Sequence, residues 1–189
     1  MQPSDHRQNA VRIAKEVLSL NPVYLDTETT GTSPMDLVIE VAVLDTDGIV
    51  LLESLVKSPK PIPPDATRVH GINDIHLMQA PDWPSVWPQL VEALQGRVLA
   101  VYNAEFDLRL LRQTCGLHGV PWTPPFARQF CIMKLFAQYY GDWNPSRRSY
   151  KWKSLDFAGK YFKLPEPNSH RATQDTLLSK LVLEAIANS

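Results

Sequence analysis

The chain carries no excess of either charge: 19 Lys and Arg stand against 20 Asp and Glu, a net charge of −1 over 189 residues. Bulk electrostatic attraction to a polyanion is therefore excluded, although a local basic groove is not. Cysteine is scarce. Cys115 and Cys131 lack metal-ligand spacing and cannot build a disulfide scaffold, so free thiols in a reducing cytoplasm are expected. No apolar run is long enough to cross a bilayer, so no membrane partner is expected. The polar N-terminal stretch MQPSDHRQNAVRIAKEV lacks the apolar core of a secretory signal. There is no internal repeat. What remains is a chain with 44% hydrophobic and 21% charged residues, ordinary for one domain with a sizeable core. A single domain over residues 1–189 is expected, with residues 1–20 as a helical extension and 21–189 as the core.

The stretch Val23 to Gly31 organises the rest. It opens as an apolar strand, and at its end sit Asp26 and Glu28, two residues apart. Positions i and i+2 of a strand share a face, so both carboxylates project together beside apolar neighbours. Two like charges that lose hydration repel each other, and a hard divalent cation would relieve them. Solvated acids in a turn are the alternative at this point.

The remaining pattern is α/β. Gln8 to Leu20 is amphipathic, with Val11, Ala14, Val17 and Leu18 at helical spacing, and is expected to pack on the sheet edge. Strands are expected to Leu25, over Leu37 to Leu44 and over Ile49 to Val56. Asp45-Thr46-Asp47-Gly48 forms the turn between the last two. Glu40, within the second strand, calls for a structural partner. Asn73 is suited to cap a short helix. Pro84 to Leu94 reads as a helix, Val98 to Tyr102 as a strand and Ala104 to Cys115 as a helix. Further helices are expected over Cys131 to Tyr139, Ser154 to Tyr161 and Arg171 to Ala187. Three antiparallel strands followed by alternating helices and strands imply a mixed sheet flanked by helices. Trp83 and Trp143 read as exposed aromatics that could serve a partner.

Two later stretches add chemistry. Asn103-Ala104-Glu105-Phe106-Asp107 lies at a strand-to-helix junction, a common place for sites. Asp107 falls in the first helical turn, where the dipole alone would favour an acid. Asp175 shares a helix face with Leu178, Val182 and Ile186, and an acid on an apolar stripe needs a partner or a metal. His170 lies about one turn before it. A lone histidine is usually structural, but beside a metal cluster an imidazole is a credible general base.

Asp26-x-Glu28, Asn103-x-x-Phe106-Asp107 and His170-x-x-x-x-Asp175 together resemble the three exonuclease motifs of the DnaQ-like superfamily. The His five residues before the final Asp resembles the DEDDh branch, and Val69-His70-Gly71-Ile72 resembles a family segment between the first two motifs. The likeness extends over residues 20–187 and includes the proofreading epsilon subunit of bacterial DNA polymerase III. It departs at Tyr102, where the family commonly has His, and at Asp65, where proofreading subunits have Glu.

The resemblance implies a ribonuclease H-like fold and 3′→5′ hydrolysis of nucleic acid, most readily single-stranded DNA, to nucleoside monophosphates. It implies two divalent ions, Mg²⁺ or Mn²⁺, roughly 3.5–4 Å apart, held by Asp26, Glu28, Asp107 and Asp175, with His170 as general base. Thr29, Thr30, Asp65, Val69, His70, Asn103 and Phe106 become candidates for holding a free 3′ end. For Val69 and Phe106, core packing is the competing account. Arg147-Arg148-Ser149-Tyr150-Lys151-Trp152-Lys153 reads either as a nucleic-acid grip or as a solvated loop. A polymerase partner is not indicated by the short segment after the final helix. An RNA-directed enzyme of the same family, and a non-catalytic binding module on the same fold, are the alternatives.

Overall fold

The computed structural model describes residues 3–189; residues 1 and 2 of the expected N-terminal extension lie outside the described residues. A five-stranded sheet forms from β1 (Val23–Thr29), β2 (Val38–Leu44), β3 (Val50–Leu55), β4 (Val98–Val101) and β5 (Arg128–Cys131), in the order β3-β2-β1-β4-β5. β1, β2 and β3 pair antiparallel, while β4 runs parallel to both β1 and β5. The mixed α/β sheet expected from the sequence is thus the observed one, with the ribonuclease H-like order. The Asp45 carboxylate shapes the β2–β3 turn by accepting from the N–H groups of Asp47 and Ile49 (2.9 and 2.8 Å). Gly48 takes the left-handed conformation there, at φ 85°.

Strand alternation divides the core into two layers. Tyr24 and Ala100 face α1 (Pro3–Leu18), α6 (Ile132–Tyr140), α7 (Leu155–Phe162) and α8 (Ala172–Ala187). Val23, Leu25, Leu99 and Val101 face α4 (Trp83–Leu94) and α5 (Ala104–Leu117). Leu178, Val182 and Ile186 are fully buried, as the α8 stripe requires. Two short helices, α2 (Pro64–His70) and α3 (Asp74–Leu77), cover a smaller cluster around Ile39, Ile62 and Ile72. Asn73 caps α3, its side chain accepting from the Ile75 N–H at 3.0 Å.

Several expectations are corrected. α1 does not lie on the sheet edge. It packs on α6 and α8, because small Ala10 and Ala14 on its buried stripe allow a close approach. β1 runs on through Asp26 and Glu28 rather than ending before them. Trp83 is not exposed: it opens α4 fully buried, its indole N–H donating to Cys115 Sγ at 3.2 Å. Trp143 is exposed, on a small hairpin of β6 (Trp143–Asn144) and β7 (Ser149–Tyr150) that replaces the expected loop. Among the described residues no helix is long and apolar enough to cross a membrane.

Candidate active site

The carboxyl ends of β1 and β4 lie side by side, with Leu25 registered against Val101. Neighbouring parallel strands whose connections leave in different directions open a crevice at that end. β1 alternation sends Asp26 and Glu28 to the α8 side and Thr27 to the α5 side. Immediately after β4, Asn103 starts α5, its carbonyl accepting from the N–H groups of Phe106 (2.9 Å) and Asp107 (3.3 Å). That first turn aims Asp107 back at β1, where its Oδ1 accepts from the Thr27 hydroxyl at 2.8 Å.

α8 supplies the other wall. Asp175 in its first turn accepts from the Ser169 N–H (2.9 Å) and the His170 N–H (3.2 Å). His170 occupies the left-handed region at φ 52°, an unfavourable conformation for a residue with a Cβ. Its imidazole remains exposed at the rim while Asp175 is buried. Arg171 and the first N–H of α8 are clamped on Glu40 of β2. Arg171 Nη2 lies 2.6 Å and the Ala172 N–H 2.9 Å from its carboxylate oxygens. Glu40 is therefore the structural anchor its place in an apolar strand called for, and it fixes where α8 begins.

The result is a concentration of negative charge. Glu28, His170 and Asp175 bring one ligand atom each to within 4.8 Å of one another. Asp26 feels Asp107, Glu28 and Asp175 together; burial first and this repulsion second push its carboxyl well above the ordinary range. Burial beside Asp175, Glu40 and Asp107 pushes Glu28 up to about 8, against the pull of Arg171. Asp107 rises with burial to about 7 despite the Thr27 hydroxyl. Asp175 is raised too, by burial, against its two N–H donors and His170. Carboxylates this frustrated form an all-oxygen donor set with an imidazole alongside, which fits a hard divalent cation.

The other sequence-predicted residues divide into two groups. Val69 is 54% exposed, which removes core packing as its explanation, and Phe106 is half-buried beneath Arg109. His70 is buried; its Nδ1 accepts from the Ile72 N–H at 3.0 Å, and its Nε2 has no hydrogen-bond partner among the described residues. Burial lowers its pKa, while the Thr29 backbone and the Glu40 charge pull the other way. Thr29 donates to the Gly31 carbonyl at 2.8 Å. Thr30 is committed elsewhere, its hydroxyl bonding Asp36 Oδ1 at 2.8 Å inside the 30–37 loop. Asp65 is exposed on α2 and paired with Arg68, outside the cluster. The Tyr102 hydroxyl shares its proton between the carbonyls of Lys153 and Ser154 (3.0 and 2.9 Å), fastening the entry to α7 to the end of β4. Of the cations in the 147–153 stretch, Lys151 and Lys153, just after β7, are bound to Asp142.

Thr27, Asp36 and Arg171 were not singled out from the sequence. Thr27 was legible only as the opposite face of an acid pair, and Arg171 only as the cation that buried Glu40 needs. Asp36 gathers the Thr30 hydroxyl, the Ser33 N–H and Lys60, which bring its carboxyl down to about 2 although burial pushes upward.

Comparison with known proteins gives the family and the fold. The family model described as Exonuclease matches residues 23–183. An uncharacterized exonuclease of Escherichia phage 186 is 35% identical over 181 residues, covering 92% of either chain. DNA polymerase III subunit epsilon of Pasteurella multocida is 32% identical over 96 residues, which is 46% of this chain and 38% of that one. Exonuclease X, solved in complex with 5′ overhanging duplex DNA, is 26% identical with a TM-score of 0.64, over 88% of this chain and 92% of that chain. The nuclease domain of 3′hExo, a DEDDh family member bound to rAMP, shares the fold at 15% identity, with a TM-score of 0.71 over 90% of this chain and 93% of that chain. With the family model running from the first residue of β1 into α8, across every acid of the cluster, the chain belongs to the exonuclease family of DnaQ-like nucleases acting on nucleic acid.

Proposed function

We propose that this chain is a DEDDh-type exonuclease that removes nucleoside monophosphates from the 3′ end of a strand, single-stranded DNA foremost. Residues 21–189 act as the catalytic core and residues 1–20 as a helical extension. The observation that carries this reading is the convergence of Asp26, Glu28, Asp107 and Asp175 with His170 at one sheet end. A degenerate binding module has no use for four frustrated acids.

Asp26, Glu28 and Asp175 would hold one Mg²⁺ or Mn²⁺, and Asp107 with Asp26 a second. Bound there, the ions supply charge that stabilises the attacking and leaving oxygens of phosphodiester hydrolysis. His170, exposed at the rim and tied to Asp175 through its own N–H, takes a proton from the attacking water. Thr27 keeps Asp107 turned inward. Exposed Val69 and half-buried Phe106 offer apolar faces to the terminal sugar and base, while His70, Thr29 and Asn103 offer polar groups. Thr30 supports the adjoining loop, and Asp65 contributes charge from α2.

The test is the position of a label. On a strand labelled at its 5′ end, removal from the 3′ end gives a descending ladder that keeps the label to the last steps. Immediate release of labelled mononucleotide would reverse the polarity. A matched RNA strand reports the sugar preference, and faster cleavage of RNA would replace DNA as the substrate.

A further inference from the structure

A second feature opens from the same end of the sheet. Between α5, β5 and the start of α6 runs a cleft of about 620 Å³. It begins at Ala104 and Glu105, the residues directly after Asn103, and continues along α5 past Arg109 and Arg112. Lys134 on α6 stands on the opposite bank, with Trp122 and Phe126 from the connection between α5 and β5.

The lining brings three cations, Arg109, Arg112 and Lys134, together with the rings of Trp122 and Phe126. Arg112 is exposed and has no ion pair among the described residues. Among the described residues Lys134 has only a 4.0 Å ion contact, with Glu105, and both side chains are largely exposed. Arg109 lies over the Phe106 ring and donates to the Thr32 carbonyl at 3.3 Å, so it stands at the border between the acid cluster and the cleft. In a protein of net charge −1, three cations along one cleft are a local departure. Cations along a cleft meet the phosphates of a strand, and aromatic faces beside them stack on its bases.

We infer that this cleft is the subsite for the nucleic-acid strand on the 5′ side of the bond being cut, held as a single strand. This rests on the proposed exonuclease reading. A strand whose 3′ end lies among Asp26, Glu28 and Asp107 must leave the site, and the cleft starts where α5 leaves it. Its chemistry asks for a polyanion with flat rings, not for a small anion or an apolar peptide.

The test uses Arg112→Gln combined with Lys134→Gln in the full chain, since neither side chain anchors the fold. Anisotropy of a fluorescent single strand is followed through a salt titration, with no hydrolysis required. Removing two phosphate contacts should lower the slope of log affinity against log salt by about 1.4, that is about 0.7 for each cation. In turnover, the KM advantage of a long oligonucleotide over a dinucleotide should shrink about tenfold, the effect of roughly 1.4 kcal/mol of binding. An unchanged salt slope and an unchanged length advantage would overturn the inference. Equal losses on the dinucleotide and the long strand would place these cations at the reacting end and also overturn it. A loss confined to duplex with a recessed 3′ end would assign the cleft to the complementary strand instead. If the wild type hydrolyses nothing, the exonuclease reading fails, while the salt titration still decides whether the cleft binds a strand.

Discussion

Removing Arg171 should unsettle both the fold and the proposed general base, His170, and the size of the effect can be worked from its contacts. Glu40 is 2% exposed and receives Arg171 through Nη2 at 2.6 Å and Nε at 3.1 Å, with the Ala172 N–H at 2.9 Å as its only other donor among the described residues. Breaking a fully buried pair costs about 3–5 kcal/mol, because a charge is left without compensation. The Arg171 side chain, however, is 47% exposed, so water can reach Glu40 once the guanidinium is gone. Hydrogen bonds to a charged group are worth about 1.5–3 kcal/mol, and Arg171→Ala should cost about 2 kcal/mol. For a chain of this length that lowers Tm by about 4–8 °C. Adding Glu40→Gln removes the stranded charge, so the double variant should recover about 1 kcal/mol relative to Arg171→Ala. Thermal unfolding followed by circular dichroism measures all three. Because His170 is the residue before Arg171 and sits at φ 52°, turnover should fall further than the stability loss explains. A Tm shift under about 1 °C for Arg171→Ala would refute the anchoring role.

Other outcomes follow from the same cluster. Glu28 at about 8 and Asp107 at about 7 both lie above their unfolded values near 4. The folded protein then binds more protons than the unfolded chain in that window. Metal-free stability should therefore be greatest below about pH 4.5 as far as these groups are concerned, and be lost as pH rises through 7 to 8. Saturating Mg²⁺ should flatten this slope; Tm against pH in chelator and in metal reads it, and parallel curves would deny the metal role. His170→Ala should cut turnover by about 100-fold while calorimetric metal binding persists, and near-normal turnover would remove it from the proton transfer. At Gly31 an added Cβ would lie 2.6 Å from Asp36 Oδ2, at φ 153°. Gly31→Ala should cost about 1–3 kcal/mol through displacement of Asp36, visible in chemical denaturation.

How much of this was legible depended on the range of the interaction. The acid pair in β1 showed itself because alternation is local, and the Asp175 stripe because helical spacing is local. The β2–β3 turn and the Asn73 cap were readable for the same reason. β5 escaped because Arg128 to Cys131 is a short edge strand with no alternating pattern, and β6 and β7 pair only two residues each. Trp83 was misplaced because a helix starting at Pro84 leaves it outside, whereas α4 starts on it and turns it inward. The Glu40–Arg171 clamp joins residues 131 apart, so the sequence could pose the need for a partner without naming it. Val69 was legible only as a choice between core packing and a ligand contact, because an apolar residue in a short segment fits either; its 54% exposure removes the first.

The central claim is that metal-loaded acids at the end of β1 hydrolyse a strand from its 3′ terminus. The most direct measurement is a gel of a 5′-labelled single strand incubated with Mg²⁺, with Mn²⁺ and with chelator, alongside Asp26→Ala. A ladder shortening from the 3′ end is expected in either metal, absent in chelator and absent in Asp26→Ala. Cleavage that persists in chelator or in Asp26→Ala, or no cleavage under any metal, would contradict it.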